Sequence, residues 1–255
     1  MVGVVLGLTG AGGGMLAVPA LMFGLHWSVT QAAPVALLAV ALSASLGALQ
    51  GLRKGLARYR AALLMAAVAV PMSALGLSWA QTLPTTMLTL LFVAVMVLAA
   101  LRLLRQQGDS ESPALLVCPV QPETGRFLWT PARVLAMSSF GALSGLLTGL
   151  LGVGGGFIIV PVLRFSTNLS AAAIVATSLM VVALVSAFSL LMASQQLSVE
   201  RIAPALPFVI AVVVGLVLGN VLARRLPAAR VQQMFAVLML IVAAALGIRE
   251  LSMLG

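Results

Sequence analysis

Four glycines within five residues, Gly152-Val153-Gly154-Gly155-Gly156, give this chain one segment whose backbone is shaped for ligand chemistry. Each glycine costs a helix about 1 kcal/mol against alanine, so the run predicts a break inside an otherwise apolar helix. A short helix is expected to restart over Phe157 to Phe165, with its first N–H groups unpaired. Those groups and the helix dipole favour an anion. Gly12-Gly13-Gly14, ahead of a helix predicted over Met15 to Phe23, offer the same arrangement a second time. Hydroxyls accompany the glycines. Ala176-Thr177-Ser178-Leu179 is followed by Ser186 and Ser189, whereas Pro34-Val35-Ala36-Leu37 is followed by Ser43 and Ser45. Such hydroxyls either line an anion path or bond the preceding turn of their own helix, and both readings stand. The candidate substrate-binding residues are Gly12, Gly13, Gly14, Gly154, Gly155, Gly156, Thr177 and Ser178.

The two glycine sets belong to a repeat. At an offset of 142 residues, Gly3, Gly7, Gly10, Gly12, Gly13, Gly14 and Pro19 fall on Gly145, Gly149, Gly152, Gly154, Gly155, Gly156 and Pro161. The second copy has further helical residues ahead of its matching glycine, from Ala132 onward, where the first has only Met1 and Val2. Either the first helix is half-length or the true start lies upstream. The missing positive n-region and the shared glycine pattern mark the N-terminus as retained structure rather than a signal peptide.

Gly141, Gly145 and Gly149 recur every fourth residue, which places them on one helix face and predicts close contact with a second backbone. Ser144 and Thr148 beside them are expected to hydrogen-bond across that contact. The run does not read as a nucleotide loop, because no Lys-Ser/Thr follows the glycines and Phe157 stands at the last glycine position of a would-be G-x-G-x-x-G. No cofactor motif, metal cluster or nucleophile–base pair is present, so the chain does not read as an enzyme. Cys118 is the single cysteine, which excludes an internal disulfide and reads as an incidental loop thiol.

Apolar residues make up 62% of the chain and charged residues 7%, with a mean hydropathy of +1.19. Soluble domains carry about 25% charged residues, so this is an integral membrane protein. Apolar runs of about 20 residues make it helical rather than a barrel. The net charge of +9 comes from 14 dispersed basic residues, which act as topology signals and not as a nucleic-acid face.

Along the chain, apolar runs are predicted at Val29–Gln50, Ala61–Trp79 and Thr85–Leu101, then a glycine-broken segment at Ala132–Phe165. Further runs cover Leu169–Met192, Ile202–Ala223 and Val231–Ile248. Residues 1–105 form a first membrane repeat, 106–131 a polar cytoplasmic linker and 132–255 a second repeat. If each broken segment makes two short crossings, each half crosses five times and the halves are inverted. Every basic residue except Arg201 and Arg249 then faces the cytoplasm, as the positive-inside rule favours. Read as one re-entrant piece, the segment leaves four crossings and parallel halves, which puts Arg53–Arg60 and Arg224–Arg230 on opposite faces. The charges select inverted repeats, a common transporter layout. No charged residue falls in the middle of a predicted span, unlike the carboxylates of cation or proton transporters, so the cargo reads as an anion.

The run G-L-L-T-G-L-L-G-V-G-G-G-F-I-I-V-P-V-L at 145–163, its degraded copy at 7–21 and A-T-S-L at 176–179 resemble the TauE/SafE family of membrane permeases, the sulfite exporters. The resemblance covers essentially the whole chain and implies export of sulfite or an organosulfonate such as sulfoacetate. Pro34-Val35-Ala36 stands where the family usually has a Thr-Ser pair, which moves the expected hydroxyl site to Thr177 and Ser178. The expectation is therefore an all-α, polytopic transporter of two inverted repeats in the bacterial inner membrane, working by alternating access. Its partners would be a small anion and membrane lipid, with no cofactor and no nucleic acid; monomer and homodimer both stay open. Uptake of sulfate or another oxyanion, and a non-transporting membrane scaffold, remain the alternatives.

Overall fold

The computed structural model describes residues 13–105, 130–167, 169–192, 199–222 and 228–254, and every regular element among them is an α-helix. The helices are α1 (Gly13–Leu25), α2 (Val29–Arg53), α3 (Tyr59–Thr82), α4 (Thr85–Arg105), α5 (Pro131–Leu151), α6 (Gly156–Ser166), α7 (Ala171–Met192), α8 (Val199–Leu222) and α9 (Ala228–Leu254). Five of them, α2, α3, α4, α5 and α7, are long and apolar enough to cross a membrane. Large side chains such as Leu98, Leu135 and Ile248 stay exposed, as expected of helices that meet lipid rather than water. Residues 106–129 of the linker, Cys118 among them, and Gly12 lie outside the described residues.

The helices begin and end for local reasons. Pro131 occupies the first turn of α5, where its missing N–H costs nothing. Ser28 caps α2 through a reciprocal pair: its Oγ accepts from Gln31 N at 3.4 Å, and Gln31 Oε1 accepts from Ser28 N at 3.2 Å. Ser28→Ala is expected to lower stability by about 1 kcal/mol, read as a lower unfolding temperature in detergent. Between α1 and α2, His26 takes the left-handed φ of 56° and lets the chain turn. Arg249 Nη1 donates to Met22 O at 3.3 Å, which ties the last turns of α1 to α9.

α2 and α7 form the centre, and they run antiparallel. A Cβ on Gly47 would touch Leu179 and one on Gly51 would touch Ala176, while Val40 lies level with Val182 beside Gly154. α3 and α5 run parallel and nearly fused. Gly141, Gly145 and Gly149 press against the backbone of Met65, Ala69 and Ser73 in turn. Lipid tails supply no hydrophobic drive between helices, so such backbone contacts and their dispersion energy hold the pair. α4 packs along α9, and several other contacts come in pairs: α3 with α7 and α8 with α2; α1 with α2 and α6 with α7; α1 with α9 and α6 with α4.

Candidate functional site at the glycine break

α5 stops at Leu151, and the next four residues turn the chain back on itself. Gly152, Gly154 and Gly155 all adopt left-handed φ, at 69°, 75° and 62°. That conformation is strained for any residue with a Cβ and open to glycine. Gly155 O accepts from Ser144 Oγ at 3.1 Å, although Ser144 lies eight residues before Gly152, about 12 Å down the helix. The chain therefore folds back beside α5 before α6 begins at Gly156. Ser144 and Thr148 do not bond across to α3. Thr148 Oγ1 donates to Ser144 O at 2.7 Å within α5, and Ser144 is spent on the break.

The break is wholly buried and lies at mid-depth. Gly152 packs on Ala33. A methyl built on Gly154 would lie 2.8 Å from Val40 Cγ1 and 3.3 Å from both Val182 Cγ1 and Ser186 Oγ. Val40 is near the midpoint of the 25-residue α2, and Val182 near that of the 22-residue α7. These two valines are themselves separated by the repeat offset of 142. The two glycine segments meet here: Gly14, in the first turn of α1, packs against the Val153 carbonyl with no room for a side chain.

Hydroxyls divide sharply. Ser43 bonds Ala39 O at 2.6 Å, Ser45 bonds Ala41 O at 2.6 Å and Ser178 bonds Val175 O at 2.9 Å, which is the ordinary fate of a membrane serine. Ser186 and Ser189 are buried with no hydrogen-bond partner. They stand three residues apart on α7, one turn from each other, with Ser186 beside Gly154. A buried unsatisfied hydroxyl costs about 1–3 kcal/mol. Two on one helix at the break can donate to an acceptor such as an oxyanion.

Of the residues expected from sequence, Gly14, Gly154 and Gly155 meet at the break, Gly13 and Gly156 open α1 and α6 beside it, and Gly12 falls outside the described residues. Thr177 and Ser178 are not there. Thr177 precedes Ser186 by nine residues, about 13 Å along α7, and its Oγ1 accepts from Arg58 N at 3.0 Å. Val40 carries no sequence signal that distinguishes it from a packing residue, and Ser144, expected at the helix contact, bonds the break instead.

A cleft of about 490 Å³ lies near the break, on the face opposite the basic loops at Arg53–Arg60. Thr30, Gln31, Gln81 and Thr85 supply its polar wall, and Pro34, Leu37 and Leu150 its apolar one. No charged side chain lines it. No group of three or more potential metal ligands occurs among the described residues.

The chain is 28% identical over 237 residues to a probable membrane transporter protein of Xylella fastidiosa strain Temecula1, covering 90% of this chain and 84% of that protein. A probable membrane transporter protein of strain 9a5c is 28% identical over 232 residues, with the same coverage. No solved structure matches significantly. The family model described as sulfite exporter TauE/SafE matches residues 1–246, nearly the whole length, so this multi-pass membrane protein belongs to the TauE/SafE family and is a membrane transporter.

Proposed function

We propose that the protein exports a small sulfur-containing oxyanion, sulfite or an organosulfonate, across the bacterial cytoplasmic membrane by alternating access. The observation that carries this reading is the mid-depth glycine break with Ser186 Oγ beside it, buried and without a protein partner. An oxyanion accepts the proton of such a hydroxyl. No carboxylate occurs on any of α2 to α7, which leaves the centre without a cation ligand of that kind. The antiparallel course of α2 and α7, with Val40 and Val182 flanking Gly154, supports two inverted halves rocking about the break. The cleft at Thr30 and Gln81 serves as the vestibule on the non-cytoplasmic side. With the inside negative, each unit of negative charge moved outward gains about 2.3 kcal/mol per 100 mV, so the potential alone can drive export.

The test is sulfite release from cells with and without the protein, followed by efflux from proteoliposomes under an imposed potential. Release that depends on the protein and quickens with an inside-negative potential supports the reading. Equal release removes sulfite as a substrate, and inward movement alone would make the protein an uptake permease. Ser186→Ala adds a sign test. It removes an unsatisfied hydroxyl and is expected to raise stability by about 1 kcal/mol while raising the sulfite KM roughly tenfold or more. A serine that served packing would change stability and leave KM alone.

A further inference from the structure

Arg58 ends the short connection between α2 and α3 and immediately precedes Tyr59, the first residue of α3. Its peptide N–H donates to Thr177 Oγ1 at 3.0 Å, and Thr177 is fully buried in α7. That bond pins the loop onto α7 and fixes the root of the guanidinium. The Arg58 side chain is partly buried, and its Nε–H is buried with no hydrogen-bond partner. Its basic neighbours Arg53, Lys54 and Arg60 are all exposed. Topology and lipid head groups account for exposed charges at helix ends, since those roles need only the charge. They do not account for a guanidinium Nε–H that is buried without a partner, since an unmade hydrogen bond costs more at a charged group. The cation also meets the positive end of the α3 dipole, and no side chain caps that end. The helices around it, α2, α3 and α7, carry no carboxylate anywhere along their length.

One ligand chemistry relieves all of these together. We infer that Arg58, with the hydroxyl of Thr177 and the uncapped start of α3, forms an oxyanion-binding site at the basic face of the protein. The site takes the planar fork of the guanidinium to two oxygens of one anion, either a free sulfite- or sulfate-like ion or the phosphate of an anionic lipid. Thr177 accepts from Arg58 N and keeps its own proton to donate. The site lies about 13 Å along α7 from Ser186, so a free anion held there would stand on the basic side of the glycine break. Its role as a loading station rests on the anion-export reading; anion binding at Arg58 does not.

Thermal unfolding of the purified protein in phosphatidylcholine nanodiscs, with sulfate against chloride at matched ionic strength, tests the site without any transport. Sulfate is expected to raise the wild-type unfolding temperature saturably, and Arg58→Gln to remove the rise. Arg58→Lys keeps the charge but loses the fork and Nε–H, so its half-saturating sulfate should be roughly tenfold higher. The lysine variant also carries the comparison if the glutamine variant does not fold. If the rise requires phosphatidylglycerol in the disc and disappears with Arg58→Gln, the occupant is a lipid phosphate. A sulfate or lipid effect unchanged by both substitutions overturns the site. Arg58→Gln should also raise the sulfite KM from the basic face with kcat retained. If wild-type protein shows the Arg58-dependent sulfate rise and moves no sulfite, the export reading falls and the binding site stands.

Discussion

Gly154→Ala is expected to leave a folded, membrane-inserted protein that moves sulfite at least about 100-fold more slowly, the scale on which small displacements in a positioned site act. The backbone at Gly154 has φ 75°, which costs a residue with a Cβ about 1–2 kcal/mol. The new methyl would lie 2.8 Å from Val40 Cγ1 and 3.3 Å from Ser186 Oγ, both of them side chains that can shift by a few tenths of an ångström. The fold can therefore absorb the substitution. The break cannot, because the methyl occupies the space in front of the Ser186 hydroxyl, midway along both central helices. Efflux from proteoliposomes, measured beside the unfolding temperature of the same preparation, reads the two effects separately. A scaffold whose glycines serve packing alone would lose stability or partner binding, with no flux to lose. Wild-type efflux from a Gly154→Ala protein would take the break out of the transport path.

Gly145→Val is expected to fail at an earlier stage, in folding. A Cβ at this position falls on the carbonyl of Ala69, which is backbone and cannot move aside as a side chain can. α3 cannot retreat at that point alone, because Gly141 against Met65 and Gly149 against Ser73 hold the same two helices on either side. Overpacking of a core costs about 1–3 kcal/mol, and a backbone collision belongs at the top of that range or beyond it. The expected result is a lower unfolding temperature and less protein recovered from membranes, with transport per folded molecule little changed. Gly24→Ala is the matched control, since a Cβ there meets nothing within 4 Å. It should be neutral or gain a few tenths of a kcal/mol in helix propensity. If Gly145→Val were as stable as Gly24→Ala, the close α3–α5 contact would not be what holds this pair.

The membrane-spanning helices were legible because their cause is local. Apolar length marks starts at Val29, Ala61, Thr85, Ala132 and Leu169, and the structure places each helix start within two residues of these. Their ends run further than the apolar pattern suggests. α2 continues past Gln50 to Arg53, and α4 past Leu101 to Arg105, because a helix keeps its backbone hydrogen bonds into the interface where its basic residues reach water. The glycine spacing at Gly141, Gly145 and Gly149 foretold a backbone contact, since only helices that approach closely leave no room for a Cβ.

The hydroxyls were not legible in the same way. Thr177 and Ser178 look like the site in sequence, yet one holds the Arg58 loop and the other bonds its own helix, while Ser186 and Ser189 keep their protons free. Which serine stays unpartnered is decided by rotamer and by what stands opposite. In a helix that is apolar around its whole circumference, periodicity does not say which face is opposite what. By itself the sequence determined a helical membrane protein, the glycine break at Gly152–Gly156 and a centre free of charge, because composition and backbone propensity act within a few residues. That the two glycine segments meet, with Gly14 against Val153 and Gly154 against Val40 and Ser186, was decided only by tertiary packing. Those contacts join segments up to about 140 residues apart, and the energy that selects them resides in shape complementarity between helices, which no single stretch of sequence contains.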